Sequence, residues 1–271
     1  MDTITGAEFA ALAAAAVLVG FAKTAVSGAN TLSLAVFAAV LPARESTGVL
    51  LPILIAGDVL AVLAYRRHAH WPTLIRLFPA VVAGVLVGTL FLLRADDRAV
   101  RVSIGLILLL MAAVGLAGRR RRGTRPDRAP EPEPGPEPAP DTDTDAGRAG
   151  GTSRLRTGSY GVLGGFTTMV ANAGGPVMSL YLLSAGFAKL GFLGTASWFF
   201  LVVNLSKVPF SVGLGLIDLR SLLLDAALVL FVLPGAYLGR ACADRIDQAL
   251  FERLVLAAAA VGALPLLVPA G

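Results

Sequence analysis

Lys23, Asp58 and Lys207 are ionisable residues that stand inside long apolar sequence. A charge at the centre of a bilayer is costly, so such a residue pairs, faces water or carries a function. Lys23 lies about one helical turn before the polar run Ser27-Gly28-Ala29-Asn30-Thr31, where it can face an anion held at that run. Lys207 follows Asn204 by three positions, which puts both on one helix face. Snorkelling to the headgroups is the ordinary alternative for an isolated lysine. Asp58 has no basic residue one turn away on its own segment. It reads either as a proton-coupling carboxyl or as a neutral, hydrogen-bonded packing residue. No nucleophile–base pair, phosphate loop or nucleotide fingerprint occurs, so no catalytic residue and no enzyme activity are expected.

The polar run has a counterpart. Gly20-Phe21 leads into Ser27-Gly28-Ala29-Asn30-Thr31, and Gly165-Phe166 leads into Asn172-Ala173-Gly174-Gly175-Pro176. In both places an apolar segment breaks and restarts as a short apolar piece. Interrupted hydrophobic segments at matching places in two halves point to a transporter's binding site. A helix that starts inside the membrane presents free N–H groups and the positive end of its dipole, which suits an anion. Asn30 and Asn172 are expected as N-caps, and Gly174 and Gly175 allow close approach of a ligand to the backbone. The candidate substrate-binding set is therefore Lys23, Ser27, Gly28, Asn30, Thr31, Asn172, Gly174, Gly175, Asn204 and Lys207, with Asp58 for proton coupling. The competing reading of each break is a helix hairpin packed through small residues.

The segments that must position these groups are those of a membrane protein. Hydrophobic residues make up 56% and charged ones 15%, with mean hydropathy +0.75. Apolar runs of about 20 residues recur, enough to cross a hydrocarbon core of about 30 Å. The net charge of +5 comes from arginines in short flanks, an orientation signal and not a nucleic-acid one. The single cysteine, Cys242, excludes an intrachain disulfide and a cysteine metal cluster. His68 and His70 sit beside Arg66 and Arg67 as a basic flank, so neither a metal nor another cofactor is expected. The first segment lacks the basic start of a leader and is read as retained.

Residues 1–117 and 157–271 form two transmembrane repeats, separated by an Arg/Pro/Glu-rich stretch at 118–156 that cannot bury enough apolar surface to order itself. That stretch is read as a disordered cytoplasmic linker. Apolar segments fall near 7–26, 31–41, 46–66, 72–93 and 98–117, then near 157–172, 175–186, 190–210, 219–240 and 248–268. Laid over each other, the halves pair Gly20 with Gly165, Asp58 with Asn204, Gly84 with Gly235, Gly88 with Gly239 and Arg94 with Arg245. The expectation is an all-α polytopic membrane protein of two homologous helical repeats, with broken or short helices at matching positions. If the short pieces cross, each half has an odd count and the repeats are inverted; if each continues its predecessor, there are eight segments, not ten, and the inversion disappears. Basic flanks place the linker, Arg66-Arg67, Lys189 and Arg240–Arg245 in the cytoplasm.

With the breaks, the Pro42-Ala43-Arg44 stretch and the run Asn204-Leu205-Ser206-Lys207-Val208-Pro209 leading to Gly215-Leu216-Ile217-Asp218, the chain resembles the TauE/SafE family of sulfite exporters. The resemblance covers nearly all of 7–117 and 158–268. It implies a permease of the bacterial inner membrane that exports sulfite or a related organosulfonate by secondary transport. The first break departs from the family's glycine run, with only Gly28 between Ser27 and Ala29-Asn30. The partners expected are a small anionic substrate and the lipid bilayer, with no nucleic acid; a homo-oligomer is compatible with the sequence. An anion channel on the same scaffold, or a membrane-embedded sensor or assembly protein acting through the linker, are the competing functions.

Overall fold

A computed structural model describes residues 4–25, 30–96, 98–100 and 154–245, together with Val102, Ser103, Leu106 and Leu250. Ser27 and Gly28 lie outside the described residues, as do nearly all of the expected segments 98–117 and 248–268 and residues 118–153 of the linker. Among the described residues every regular element is helical. The first half holds α1 (Gly6–Thr24), α2 (Asn30–Val40), α3 (Ala43–Tyr65) and α4 (Trp71–Arg94), with a 3₁₀ turn over Arg66–His68. The second holds α5 (Arg154–Ala171), α6 (Gly174–Ser184), α7 (Lys189–Gly213) and α8 (Leu219–Arg245). Among the described residues five spans are long and apolar enough to cross a membrane: Gly6–Thr24, Glu45–His68, Trp71–Arg94, Lys189–Gly213 and Ser221–Arg245. The protein is an all-α, polytopic membrane protein.

Glycine sets the closest packing. The backbone of α8 at Val232 and Ala236 lies against Gly20 of α1, so close that a Cβ there would be 2.1 Å from the Val232 carbonyl oxygen. The backbone of α4 at Val81 and Val85 lies equally close to Gly165 of α5. Gly84 and Gly88 of α4 reciprocate against Val162, Phe166 and Met169, as do Gly235 and Gly239 of α8 against Val17, Phe21 and Thr24. Small residues let backbones approach where no hydrophobic force between helices exists, and van der Waals contact supplies the attraction. Thr24 completes the α1–α8 seam by donating to the Ala236 carbonyl at 2.9 Å.

These registers fix helix directions. Val17 lies by Gly235 and Phe21 by Gly239, so α1 and α8 are parallel; Val81 by Gly165 and Met169 by Gly88 make α4 and α5 parallel. Gly48 meets Leu216 at one end of α3 while Gly194 meets Tyr65 at the other, so α3 and α7 are antiparallel. Gly57 packs on Val19 and Lys23, and the Tyr65 hydroxyl donates to the Thr24 carbonyl at 2.8 Å, so α3 runs with α1. Each long helix of the second half therefore runs opposite to the helix at the matching place in the first. The short helices turn back. The end of α1 lies by Asp58 and Tyr65, yet only Leu41 and Pro42 separate α2 from the far end of α3, so α2 returns alongside α1. By the same logic α6 returns from the end of α5, beside Thr47, to the start of α7.

Candidate functional site

The ends of both hairpins meet in the middle of the bundle. Lys23, in the last turn of α1, points inward: its Nζ is 2.6 Å from Oδ1 of Asp58 on α3 and 4.4 Å from the centre of the Phe200 ring. Asp58 is fully buried and takes its second bond, 2.6 Å, from Nδ2 of Asn204 on α7. The Asn204 carbonyl oxygen accepts from Lys207 Nζ at 3.2 Å, one helical turn away. Lys207 also donates to Oδ1 of Asn172 at 2.5 Å, and Asn172 Nδ2 donates to the Thr47 carbonyl at 2.9 Å. One unbroken polar chain, Lys23–Asp58–Asn204–Lys207–Asn172–Thr47, thus links three helices and the second break. Neither lysine reaches for the headgroups: Lys207 is 1% exposed, and the Lys23 side chain 9%.

The chain balances unevenly. Asp58 supplies one carboxylate against two ammonium groups, and it is spent on Lys23. Lys207 has only neutral amide oxygens as partners. Burying a charge without a counter-ion is expensive unless hydrogen bonds satisfy it. Here the two asparagine carbonyls do so, leaving a positive charge that an incoming anion can neutralise.

A hollow opens beside this chain, lined among others by Lys23, Asn30, Thr168, Asn172, Gly175 and Asn204. Both breaks contribute to it. Its volume, about 20 Å³, is room for roughly one water. Asn30 turns its buried Oδ1 to no partner, an acceptor left open beside the hollow. Thr31 belongs to the first turn of α2.

Two expectations for the breaks are corrected. Asn172 does not cap α6: Ala173 holds that place without a side-chain bond. Asn172 instead sits at φ 51°, in the left-handed region that an asparagine tolerates better than most residues, and its side chain is the clip between Thr47 and Lys207. Asn30 opens α2 as a helical residue, with a carbonyl oxygen that caps nothing. Gly174 and Gly175 divide their roles. Gly175 borders the hollow, while Gly174 packs where a Cβ would come within 2.9 Å of Thr168 Cβ.

Sequence reasoning passed over three contributors. Phe200 precedes Asn204 by one turn and roofs Lys23; Thr168 precedes Asn172 by one turn and borders the hollow. That i, i+4 spacing was the available signal. The Thr47 carbonyl carried none, because any residue offers one.

Among the described residues no cluster of histidine, cysteine and carboxylate side chains with metal-ligand geometry occurs. Comparison with curated proteins and with solved structures found no match. A family of membrane transporters does match, from the middle of α1 to beyond α8. Over residues 12–266 the chain fits the family described as Sulfite exporter TauE/SafE, and it belongs to that family.

Proposed function

We propose that this protein is a secondary transporter that exports a small oxidised-sulfur anion, sulfite or a short organosulfonate, across the bacterial inner membrane, with proton coupling through Asp58. The observation that carries this reading is the hollow between the two breaks, bordered by Lys23 and by Asn172 and Asn204, the two amides that hold the second buried amine, Lys207, behind it. Membership of a sulfite exporter family supports the substrate class. The opposed directions of matching helices support an inverted repeat, the arrangement in which one half rocks against the other around a central site.

The proposed binding step follows from the charges. An anion entering the hollow replaces an asparagine oxygen as acceptor for Lys207 Nζ, a charge-assisted bond roughly twice as strong as the neutral one it displaces. The first turn of α6 at Gly175 adds backbone N–H groups without intrahelical partners. Lys23 joins only when Asp58 releases it. A proton on Asp58 removes the competing carboxylate, so the net charge on the three groups rises by one and both amines face the guest. Proton and anion therefore bind together, and the exported anion leaves with a proton. No catalysis is assigned to the site.

The test uses purified protein in liposomes and an organosulfonate, whose charge does not change across the working pH range. Saturable flux that carries protons, and that falls at least tenfold in Lys207→Gln, is the expected result. Flux indifferent to Lys207→Gln removes the hollow as the binding site. Non-saturating, proton-free flux makes the protein an anion channel instead.

A further inference from the structure

A second acid lies in the bundle, away from this chain. Asp225 is on α8, about 9 Å from its Leu219 end at ~1.5 Å per residue. It is 2% exposed, and neither carboxyl oxygen has a hydrogen-bond partner. Among the described residues the helices packed most extensively on α8 are α1 and α3, and the ionisable groups on them at this end are Glu8, Arg44 and Glu45, with Arg220 on α8 itself. Glu8 is bonded to Thr5, and Glu45 is exposed; on α8's own approach Asp218 is bonded to Ser221. Neither oxygen of Asp225 accepts a hydrogen bond from any of them.

The place itself does not require an acid. The register that sets Gly84 against Gly235 and Gly88 against Gly239 sets Leu74 against Asp225, and Leu74 is fully buried. The same packing position is thus filled by an apolar side chain in one half and by an unpaired carboxyl in the other. An ionised carboxylate cannot persist there without a counter-ion. A carboxylic acid that costs burial energy, answers no partner and has an apolar stand-in is present for its proton.

We propose that Asp225 is a second proton-binding site of this transporter, distinct from Asp58 and set toward the end that carries Pro42 and Asp218. It accepts a proton from water at that end when the bundle opens there and holds it, neutral, in the closed arrangement described above. This rests on the transport reading, but the site itself can be tested without transport.

Infrared difference spectra of the full chain in liposomes are recorded for the wild type and for Asp58→Asn, Asp225→Asn and Asp225→Leu. The expected result is a protonated-carboxyl C=O band at neutral pH that persists in Asp58→Asn and vanishes in both Asp225 variants. A band unchanged by Asp225→Asn overturns the site. Thermal unfolding of Asp225→Leu should match or exceed the wild type, as Leu74 shows the position accepts leucine; a lower midpoint would make Asp225 a packing residue and overturn the proposal. In organosulfonate flux, protons moved per anion should fall at least twofold in Asp225→Asn. Loss of the band with an unchanged proton count would leave a buried acid with no part in coupling, also overturning it. Absence of anion flux in the wild type defeats the transport reading instead, and the band decides Asp225 by itself.

Discussion

Lys23 and Asp58 hold each other in place across two helices, so neither can be removed alone without cost. Breaking a buried pair by deleting one partner costs about 3–5 kcal/mol, because the remaining charge is stranded. Lys23→Met should lower the unfolding midpoint in detergent, and Lys23→Met with Asp58→Asn should recover most of that loss. Recovery in the double variant is what distinguishes a charge pair from simple packing. Asp58→Asn alone should fix organosulfonate affinity at its low-pH value: the wild type binds more tightly as pH falls and Asp58 protonates, while the variant shows a flat profile. Equilibrium binding measured across pH checks the sign. The lysines, Asp58 and Asn204 were all legible in the sequence as polar residues in apolar surroundings. Their partnership was not, because Lys23 and Asp58 are far apart in sequence and no local spacing links them. Asn172 was assigned a cap and instead bridges two helices, its amide donating to Thr47 and accepting from Lys207 from a left-handed backbone position. Asp225 drew no attention, being near a helix end where a carboxylate is usually solvated.

At the level of helices, the glycine seams do the positioning. Gly20 on α1 and Gly165 on α5 each admit a neighbour's backbone where a side chain would collide with a carbonyl oxygen. Overpacking a tight contact costs about 1–3 kcal/mol, occasionally more. Gly20→Val and Gly165→Val should therefore destabilise the protein by similar amounts, read as the loss of unfolding midpoint, and each should weaken binding by displacing a hairpin. Gly213, which has open space around its Cβ position, should tolerate the same change with little effect. The G-x-x-x-G pairs were readable as close-packing faces, and the partners they chose were not. Gly84 finds α5 and Gly235 finds α1, so each half completes the other's hairpin helix. Helix lengths and the two breaks followed from hydropathy and small-residue runs. That α2 and α6 fold back was left open in the sequence, since an 11-residue helix after a break can continue or return. The register along α3 decides for return.

For the molecule as a whole, basic charge is concentrated at one end of the bundle. Arg66, Arg67, His68, Lys189, Arg240 and Arg245 share that end, where Lys189 donates to the Ala243 carbonyl at 2.9 Å; at the other, Glu45, Asp96 and Asp218 mix with Arg44, Arg94, Arg98 and Arg220. Basic flanks stay in the cytoplasm, so in intact cells an impermeant thiol reagent should label a cysteine placed at Asp218 but not one placed at His68, with Cys242 replaced. The reverse pattern would turn the protein over. Deleting residues 123–150 should leave organosulfonate flux within about twofold, because a stretch with no large apolar residue is not expected to pack against the bundle. The scale of the hollow carries a kinetic meaning. A space for about one water cannot conduct a hydrated ion stream. In the proposed transporter each solute would wait for the two hairpins to separate and close again, a collective motion of microseconds to milliseconds. Throughput should therefore plateau at the pace of that rearrangement, steeply dependent on temperature, however strong the gradient applied.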